Sequence, residues 1–267
     1  MNTATDTSQR RSTAGLLDSP ILGMAPWIVF SVLVGPGRFE IAVGAALVLT
    51  VVLVVVGRVR APGSSWKILE VCDAVFFAAL AVIGALASAG TLTWLETYAG
   101  EVSNLALVTI AFGSMAARLP FTLQYARERV PRAHWDSPQF LRTNYLLTGV
   151  WGLAFLVAAL AGLYGDLVLH NPNNLWTGWI IQIGAIILAL RFTEWYPEVV
   201  RARIARDAGR PAEVPTTGAL LVPLAGYLLP VGIVVLAADA GPAWLGIALI
   251  VGGVLLTRSL RAGGART

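Results

Sequence analysis

The chain has 267 residues, of which 57% are hydrophobic and only 13% are charged, and its formal net charge at pH 7 is +4. A soluble domain carries about a quarter charged residues, so this composition excludes an ordinary soluble domain and predicts an all-α, polytopic helical membrane protein. Cys72 is the single cysteine of the chain, which excludes an intramolecular disulfide bond.

Eight apolar segments follow a polar tail of residues 1–19, which is expected to be disordered. They cover residues 20–35, 41–57, 68–89, 102–117, 145–169, 175–190, 218–237 and 242–257. Crossing the hydrocarbon takes about 20 residues, so we expect about eight transmembrane helices within a domain of residues 20–257. Only a tight turn around Gly35 and Gly37 joins the first two segments, so their hairpin either crosses the membrane fully or re-enters on the same side.

The distribution of the basic residues predicts the orientation of the chain. With eight crossings and an inside N-terminus, every Lys and Arg except Arg38 falls on the cytoplasmic side. Both termini are therefore predicted to be cytoplasmic, together with an elbow at residues 118–144, a loop at 191–216 and a tail at 258–267. The cations are spread over separate segments beside anionic headgroups, which predicts the inner leaflet as a partner and argues against nucleic acid.

Two carboxylates lie near the start of the third apolar segment. Glu70 and Asp73 are three residues apart and share one helix face, close to the inner surface of the membrane. The cations Arg118, Arg142 and Arg191 are predicted at about the same depth. This arrangement indicates either an ion-pair cluster that orients helices or a paired-carboxylate site for a proton or cation, and the shallow depth favours the ion pairs.

Two further polar residues, Gln182 and Asn104, are predicted inside the membrane, where interhelical hydrogen bonds are the expected role. The seventh segment contains Pro223 and Pro230. Broken helices can mark transport sites, although proline is also common in ordinary transmembrane helices. A small-solute or ion transporter coupled to protons is therefore an alternative function.

The motifs of the common catalytic and metal sites are absent from the sequence. No HExxH, CxxC or Gly-rich phosphate-binding motif occurs, and His134 and His170 are predicted on opposite sides of the membrane. No serine, histidine and acid can be argued into one nucleophilic site. The sequence therefore predicts no metal, no cofactor and no enzymatic activity.

The polar elbow at residues 118–144 contains the sequence of a short surface helix. Pro120 suits the first turn of a helix over residues 121–130, with its apolar side chains towards the inner leaflet and its arginines at headgroup level. Pro131 ends that helix, and Trp135 can anchor the returning chain. One face of the next span is then predicted to carry Asn144, Thr148, Trp151 and Phe155.

Several stretches carry a resemblance to a known family: "LGMAPWIVFSVLV" in the first segment, "RLPFTLQ" at the elbow, and "HWDSPQFLRTNYLLTGVWGLAF" followed by "NLWTGWIIQIG". Over roughly residues 20–195 they resemble the bacterial intracellular septation protein A family, also called YciB or IspZ. The elbow positions that carry the resemblance are Pro120, Gln124, Trp135, Asn144 and Trp151. The polar tail and the hairpin of residues 218–257 depart from that family's pattern.

The resemblance implies a non-enzymatic, multi-pass protein of the bacterial plasma membrane that supports envelope maintenance or division. Its expected partners are the anionic inner leaflet and envelope or division proteins. The family provides no set of catalytic residues, so no catalytic role is carried over to any residue of this chain.

Overall fold

The computed structural model describes residues 20–60 and 65–264. The predicted disordered tail of residues 1–19 and the last three residues of the predicted C-terminal tail lie outside the described residues. Within those two ranges the regular secondary structure is helical throughout. The chain divides into two compact units, Met1–Gly149 and Val150–Thr267, which are described separately.

Among the described residues, the first unit contains six helices and the start of a seventh. They are α1 (Pro20–Gly23), α2 (Ala25–Leu33), α3 (Phe39–Arg60), α4 (Ile68–Leu86), α5 (Ala89–Ala116), α6 (Phe121–Arg129) and the first part of α7 (Pro138–Leu167). A short 3-10 turn, Arg132–His134, lies between α6 and α7.

The second unit contains the rest of α7 and three further long helices. After a π-helical turn, Trp176–Ile180, these helices are α8 (Ile181–Asp207), α9 (Thr217–Ala237) and α10 (Ala243–Gly264). The helix α8 continues well beyond residue 190, where the apolar run ends, so the predicted loop at 191–216 is wrong as far as Asp207. Helical structure persists there because Glu, Arg and Ala are good helix formers outside the membrane as well as inside it.

In the part of the chain that the structure describes, seven helical segments are long and apolar enough to cross a membrane: α3, α4, α5, α7, α8 with its π-helical turn, α9 and α10. Their outer faces expose large apolar side chains such as Ile41, Val75, Leu160 and Ile247. Such faces are stable in lipid but not in water. The chain is therefore an all-α, multi-pass membrane protein.

The predicted count of eight spans is wrong by one, because the first apolar segment is divided into α1 and α2. The four residues of α1 and the nine of α2 are separated at Met24, and Pro26 begins the first turn of α2. A nine-residue helix is about 14 Å long, which is roughly half the thickness of the hydrocarbon.

The helices α1 and α2 nevertheless run back along the neighbouring spans. A Cβ atom on Gly23 would lie 2.9 Å from Leu69 at the start of α4, whereas Phe39, just after the turn that follows α2, lies against Gly84 near the end of α4. The fifteen residue steps from Leu69 to Gly84 correspond to about 22 Å of helix. The chain therefore enters α2 and leaves α3 at the same end of the unit. The sequence predicted this return for a hairpin that spans the membrane and for one that is re-entrant.

In the second unit, α9 and α10 pack closely through glycines. A Cβ atom on Gly232 would lie 2.6 Å from the carbonyl oxygen of Gly246, and one on Gly253 would lie 2.9 Å from the carbonyl oxygen of Ala225. Small residues let transmembrane helices approach closely in this way. Pro223 and Pro230 both lie inside α9, which continues through them as one helix.

Candidate functional site

The candidate site is a cavity of about 340 Å³ in the first unit, bounded by α1, α2, the second half of α3, the start of α4 and α6. Its volume falls within the range of small-molecule sites. The polar residues that line it are Thr50, Arg58, Arg60, Lys67, Glu70, Asp73, Tyr125 and Glu128. The cavity thus lies at the basic end of the spans, which the sequence predicts to be cytoplasmic.

Asp73 is the most deeply buried charged residue that lines this cavity, with 2% of its surface exposed. Its carboxylate accepts a hydrogen bond of 2.7 Å from the indole Nε1 of Trp27 on α2. The Trp27 ring is held in turn by stacking on Phe76, with 4.6 Å between the ring centroids, and by packing against Phe77. Among the described residues, no Lys or Arg side chain forms an ion pair with Asp73.

The other two carboxylates that line the cavity are neutralised by cations. Arg58 Nη2 lies 3.1 Å from Glu70 Oε2, and Lys67 Nζ lies 3.8 Å from Glu70 Oε1 and 3.0 Å from Glu128 Oε2. Lys67 Nζ also lies 4.6 Å from the centroid of the Tyr125 ring. This network joins α3, α4 and α6 around the cavity and leaves the charge of Asp73 uncompensated.

Tyr125 on α6 is buried in the wall of the cavity, and its hydroxyl has no hydrogen-bond partner among the described residues. The hydroxyl lies beside the backbone of Gly23. Burial raises the pKa of Tyr125 well above its usual value, and the negative charges of Asp73, Glu70 and Glu128 raise it further. Tyr125 is therefore a neutral phenol at physiological pH, able to accept or donate one hydrogen bond.

Gln124, the neighbour of Tyr125, holds the start of α4 in place. Its Oε1 atom accepts a hydrogen bond of 2.6 Å from the backbone N–H of Ile68, and its Nε2 atom donates one of 3.1 Å to the carbonyl of Trp66. The first N–H groups of a helix have no partner within the helix, so a side chain that satisfies one stabilises the start of the helix. Gln124 therefore positions Lys67, Glu70 and Asp73 indirectly.

No family model, curated protein or solved structure matches this chain. Its function is therefore inferred from its own residues.

In the part of the chain that the structure describes, no three His, Cys, Asp or Glu side chains are grouped as metal ligands.

The sequence identified Glu70 and Asp73 as one site but not their surroundings. Of the three cations predicted at their depth, Arg118 and Arg142 are exposed. Arg191 belongs to the second unit and pairs with Glu194 at 2.9 Å. In the described structure Glu70 pairs with Arg58 and Lys67, and Lys67 also pairs with Glu128. Arg58 and Lys67 lie on either side of the loop before α4, and only this position in the sequence could have suggested them as partners of Glu70.

The elbow helix begins and ends close to its predicted limits but packs differently. It extends over Phe121–Arg129 after Pro120, and the predicted limits were residues 121 and 130. Phe121, Leu123 and Tyr125 are buried by protein. The expectation that its apolar side chains face the inner leaflet is therefore wrong, because α6 covers the ends of neighbouring helices.

The start of α7 is joined to α6 by a small polar cluster. The hydroxyl of Thr122 lies 3.0 Å from the carbonyl oxygen of Asn144, to which it can donate a hydrogen bond. It also lies 2.8 Å from the hydroxyl of Thr148, and either of these two hydroxyls can be the donor. Nearby, Trp135 Nε1 donates to the carbonyl of Val130 at 2.8 Å, which closes the elbow loop. The four residues predicted along one face of α7, Asn144, Thr148, Trp151 and Phe155, are all buried.

The remaining predicted polar positions lie away from the cavity. Trp151, in the second unit, donates its indole N–H to the hydroxyl of Thr193 at 2.9 Å. Gln182 donates to the carbonyl of Thr177, five residues earlier in the chain, at 3.0 Å. Asn104 is half-buried on α5. None of these three residues lines the cavity beside Asp73.

Proposed function

We propose that this membrane protein binds a small monovalent cation in the cavity beside Asp73 and exchanges it for a proton. The observation that carries the proposal is the buried carboxylate of Asp73, which lies on a membrane-spanning helix, lines a cavity, and has a hydrogen bond but no ion pair among the described residues. A buried, uncompensated charge is costly, so such a group holds either a proton or a cation. Alternation between these two states is the elementary step of proton-coupled transport.

The arrangement of the neighbouring charges supports a cation as the ligand. Arg58 and Lys67 are already paired with Glu70 and Glu128, at 3.1 and 3.0 Å for their shortest contacts. An anion would have to break these pairs, whereas a cation meets the carboxylate of Asp73 directly. The neutral phenol of Tyr125 adds a hydrogen-bonding group without adding charge.

The test is cation-driven proton movement in proteoliposomes that contain the full chain and a trapped pH-sensitive dye. Pulses of Na⁺, K⁺ and protonated organic amines are applied in separate experiments. At least one of them should change the internal pH, and Asp73→Asn should abolish that response. Asp136→Asn is the matched control because Asp136 is an exposed carboxylate on the elbow of the same unit.

Two outcomes would contradict the proposal. One is an internal pH response no larger than that of protein-free liposomes for every cation. The other is a response that Asp73→Asn leaves intact although the variant is folded and inserted. Thermal unfolding and size-exclusion chromatography of the variant in detergent establish that it is folded.

The second candidate function is the support of envelope maintenance or division at the plasma membrane, without catalysis. The end of α8 favours it, since Arg201, Arg203 and Arg206 are all exposed on a helix that extends past its apolar run. Such a surface suits anionic lipid headgroups or an acidic protein partner. The resemblance of residues 20–195 to the septation protein A family supports the same role.

This second candidate is tested by replacing the three arginines with glutamine in cells. The variant should lose the envelope or division proteins that co-purify with the wild-type chain and should reproduce the envelope defect of a deletion. A deletion without an envelope defect, together with no reproducible partner, would rule out this role.

A further inference from the structure

We infer that the cation taken by this cavity is a protonated amine with an apolar body, held between Asp73 and Tyr125. The inference rests on the proposed function and names its class of solute. It combines three observations: the charge of the site, its apolar wall and an unused hydrogen-bonding group.

The charge of the site suits a ligand with one positive charge. Asp73 carries the only carboxylate of the cavity lining that has no ion pair in the described structure, since Glu70 and Glu128 are both paired. A divalent metal ion prefers several oxygen ligands. Here the hydroxyl of Thr50, which also lines the cavity, already donates to the carbonyl of Ala46 at 2.9 Å.

Part of the cavity lining is apolar. It is formed by Leu22 and Pro26 from α1 and α2, and by Leu53, Val54 and Val56 from α3. Burying apolar surface contributes roughly 25 cal/mol per Å², so this wall favours a ligand with a hydrocarbon body over a bare inorganic ion. A volume of about 340 Å³ has room for an amine with one ring or a short chain.

The hydroxyl of Tyr125 is the feature that selects an amine with N–H groups. Tyr125 lines the cavity, and its hydroxyl is buried without a protein hydrogen-bond partner among the described residues. An ammonium group donates one hydrogen bond to the Asp73 carboxylate and a second to the phenol oxygen. A quaternary ammonium ion has the same charge but no N–H, so it cannot use Tyr125 in this way.

Protons compete with the amine for the Asp73 carboxylate, so binding weakens as the pH falls. The titratable and charged side chains that line the cavity with that carboxylate are Arg58 and Arg60 on α3, Lys67 and Glu70 at the start of α4, and Tyr125 and Glu128 on α6, and Cys72 is its neighbour on α4. The helix α2 contributes only the neutral indole of Trp27.

The test is isothermal titration of the full chain, purified in detergent, with four probes. These are 2-phenylethylamine, its N,N,N-trimethyl derivative, the neutral 2-phenylethanol, and methylamine. We expect 2-phenylethylamine to bind at least about tenfold more tightly than 2-phenylethanol, which lacks the charge, and methylamine, which lacks the apolar body. Asp73→Asn should lower its affinity by at least about tenfold, whereas Asp136→Asn should not change it.

Tyr125→Phe separates a hydrogen-bonding role from a structural one. The variant should lower the affinity for 2-phenylethylamine by about tenfold and leave that for the trimethyl derivative within about twofold. Equal losses for both probes would overturn the role of the Tyr125 hydroxyl. Asp73→Glu, which keeps the charge, serves as a second variant and should retain measurable binding of the amine.

The outcomes distinguish this inference from the proposed function. If none of the probes binds, or 2-phenylethanol binds as tightly as the amine, while Na⁺ or K⁺ moves protons through Asp73, the solute class is wrong and the proposed function stands. If no cation of any class moves protons, both fail. Amine binding that is unchanged in Asp73→Asn also overturns the inference.

Discussion

The hydroxyl of Tyr125 lies so close to the backbone of Gly23 that a Cβ atom on residue 23 would be 2.5 Å from the phenol oxygen. The two residues are more than a hundred positions apart, and their contact joins α1 to α6 at the wall of the cavity. Because no side chain fits between them, the absence of a side chain at position 23 determines where the Tyr125 hydroxyl can lie.

Gly23→Ala is therefore expected to destabilise the first unit by displacing the Tyr125 hydroxyl and the Leu69 side chain, which would lie 2.9 Å from the new methyl group. Overpacking of this kind costs about 1–3 kcal/mol. Thermal unfolding in detergent measures the loss. The same substitution in a Tyr125→Phe background should cost less, because the oxygen that it meets is gone, and equal losses in both backgrounds would contradict this account.

Gln124→Ala should loosen the start of α4. The substitution removes a hydrogen-bond acceptor from the N–H of Ile68 and a donor to the carbonyl of Trp66. We expect a loss of about 1–3 kcal/mol in unfolding free energy and faster amide hydrogen exchange at residues 66–70. Gln139→Ala is the matched control because Gln139 is exposed on α7. Unchanged exchange at residues 66–70 would show that Gln124 does not hold the helix start.

The pair of Lys67 and Glu128 should stabilise the contact between α4 and α6. Its atoms are 3.0 Å apart, with 11% and 30% of the two side chains exposed. A double-mutant cycle with Lys67→Met and Glu128→Gln should yield a coupling energy on the order of 1 kcal/mol, since the pair is only partly exposed to solvent. A cycle of Arg191→Met and Glu194→Gln, an exposed pair three residues apart, should yield a smaller value. Equal coupling in the two cycles would remove the special role of the first pair.

Alkaline pH should destabilise the protein through Tyr125. Its pKa is raised in the folded state, mainly by burial, so the folded protein holds the phenol proton more tightly than the unfolded chain does. The stability contributed by this group is present below the unfolded pKa of about 10 and is lost as the pH rises through and above that value. Tyr125→Phe should therefore make the fall in melting temperature above about pH 10 less steep. The control is Tyr164→Phe, which removes an exposed phenol and should leave the fall unchanged.

Gly232→Ala should destabilise the second unit. A methyl group on Gly232 would lie 2.6 Å from the carbonyl oxygen of Gly246 and 3.0 Å from the backbone nitrogen of Ile250, and neither atom can move without moving α10. A loss of about 1–3 kcal/mol is expected in thermal unfolding. Gly252→Ala is the matched control, since a methyl group there has open space, and it should be neutral or slightly stabilising because Ala is the better helix former. A similar loss for both substitutions would rule out close packing as the cause.

Several features of the site were accessible from the residue pattern. Pro120 and Pro131 predicted the limits of α6 to within one residue, because proline removes a backbone donor whatever its surroundings. The spacing of Asn144, Thr148, Trp151 and Phe155 placed them along one face of α7, and the structure shows that all four are buried. The three-residue spacing placed Glu70 and Asp73 together, and both line the same cavity.

The contacts between residues of the site could not be predicted from the residue pattern. Gln124 bonds to the start of a helix more than fifty residues earlier, and Lys67 pairs with Glu128 at a similar separation. The first apolar segment also failed as a span, since the break at Met24 depends on backbone geometry that hydropathy does not describe.

By itself, the sequence determined that this protein is a bundle of membrane-crossing helices, because the transfer of apolar side chains and backbone groups out of water depends on composition and length. Only the tertiary structure decided which charges meet. Arg58 and Lys67 neutralise Glu70 and Glu128 and leave Asp73 in a cavity that Tyr125 also lines, with a hydroxyl that has no partner among the described residues. The physical reason is that electrostatic and hydrogen-bond energies depend on distances of a few ångströms between atoms, and these distances are set by how distant helices pack.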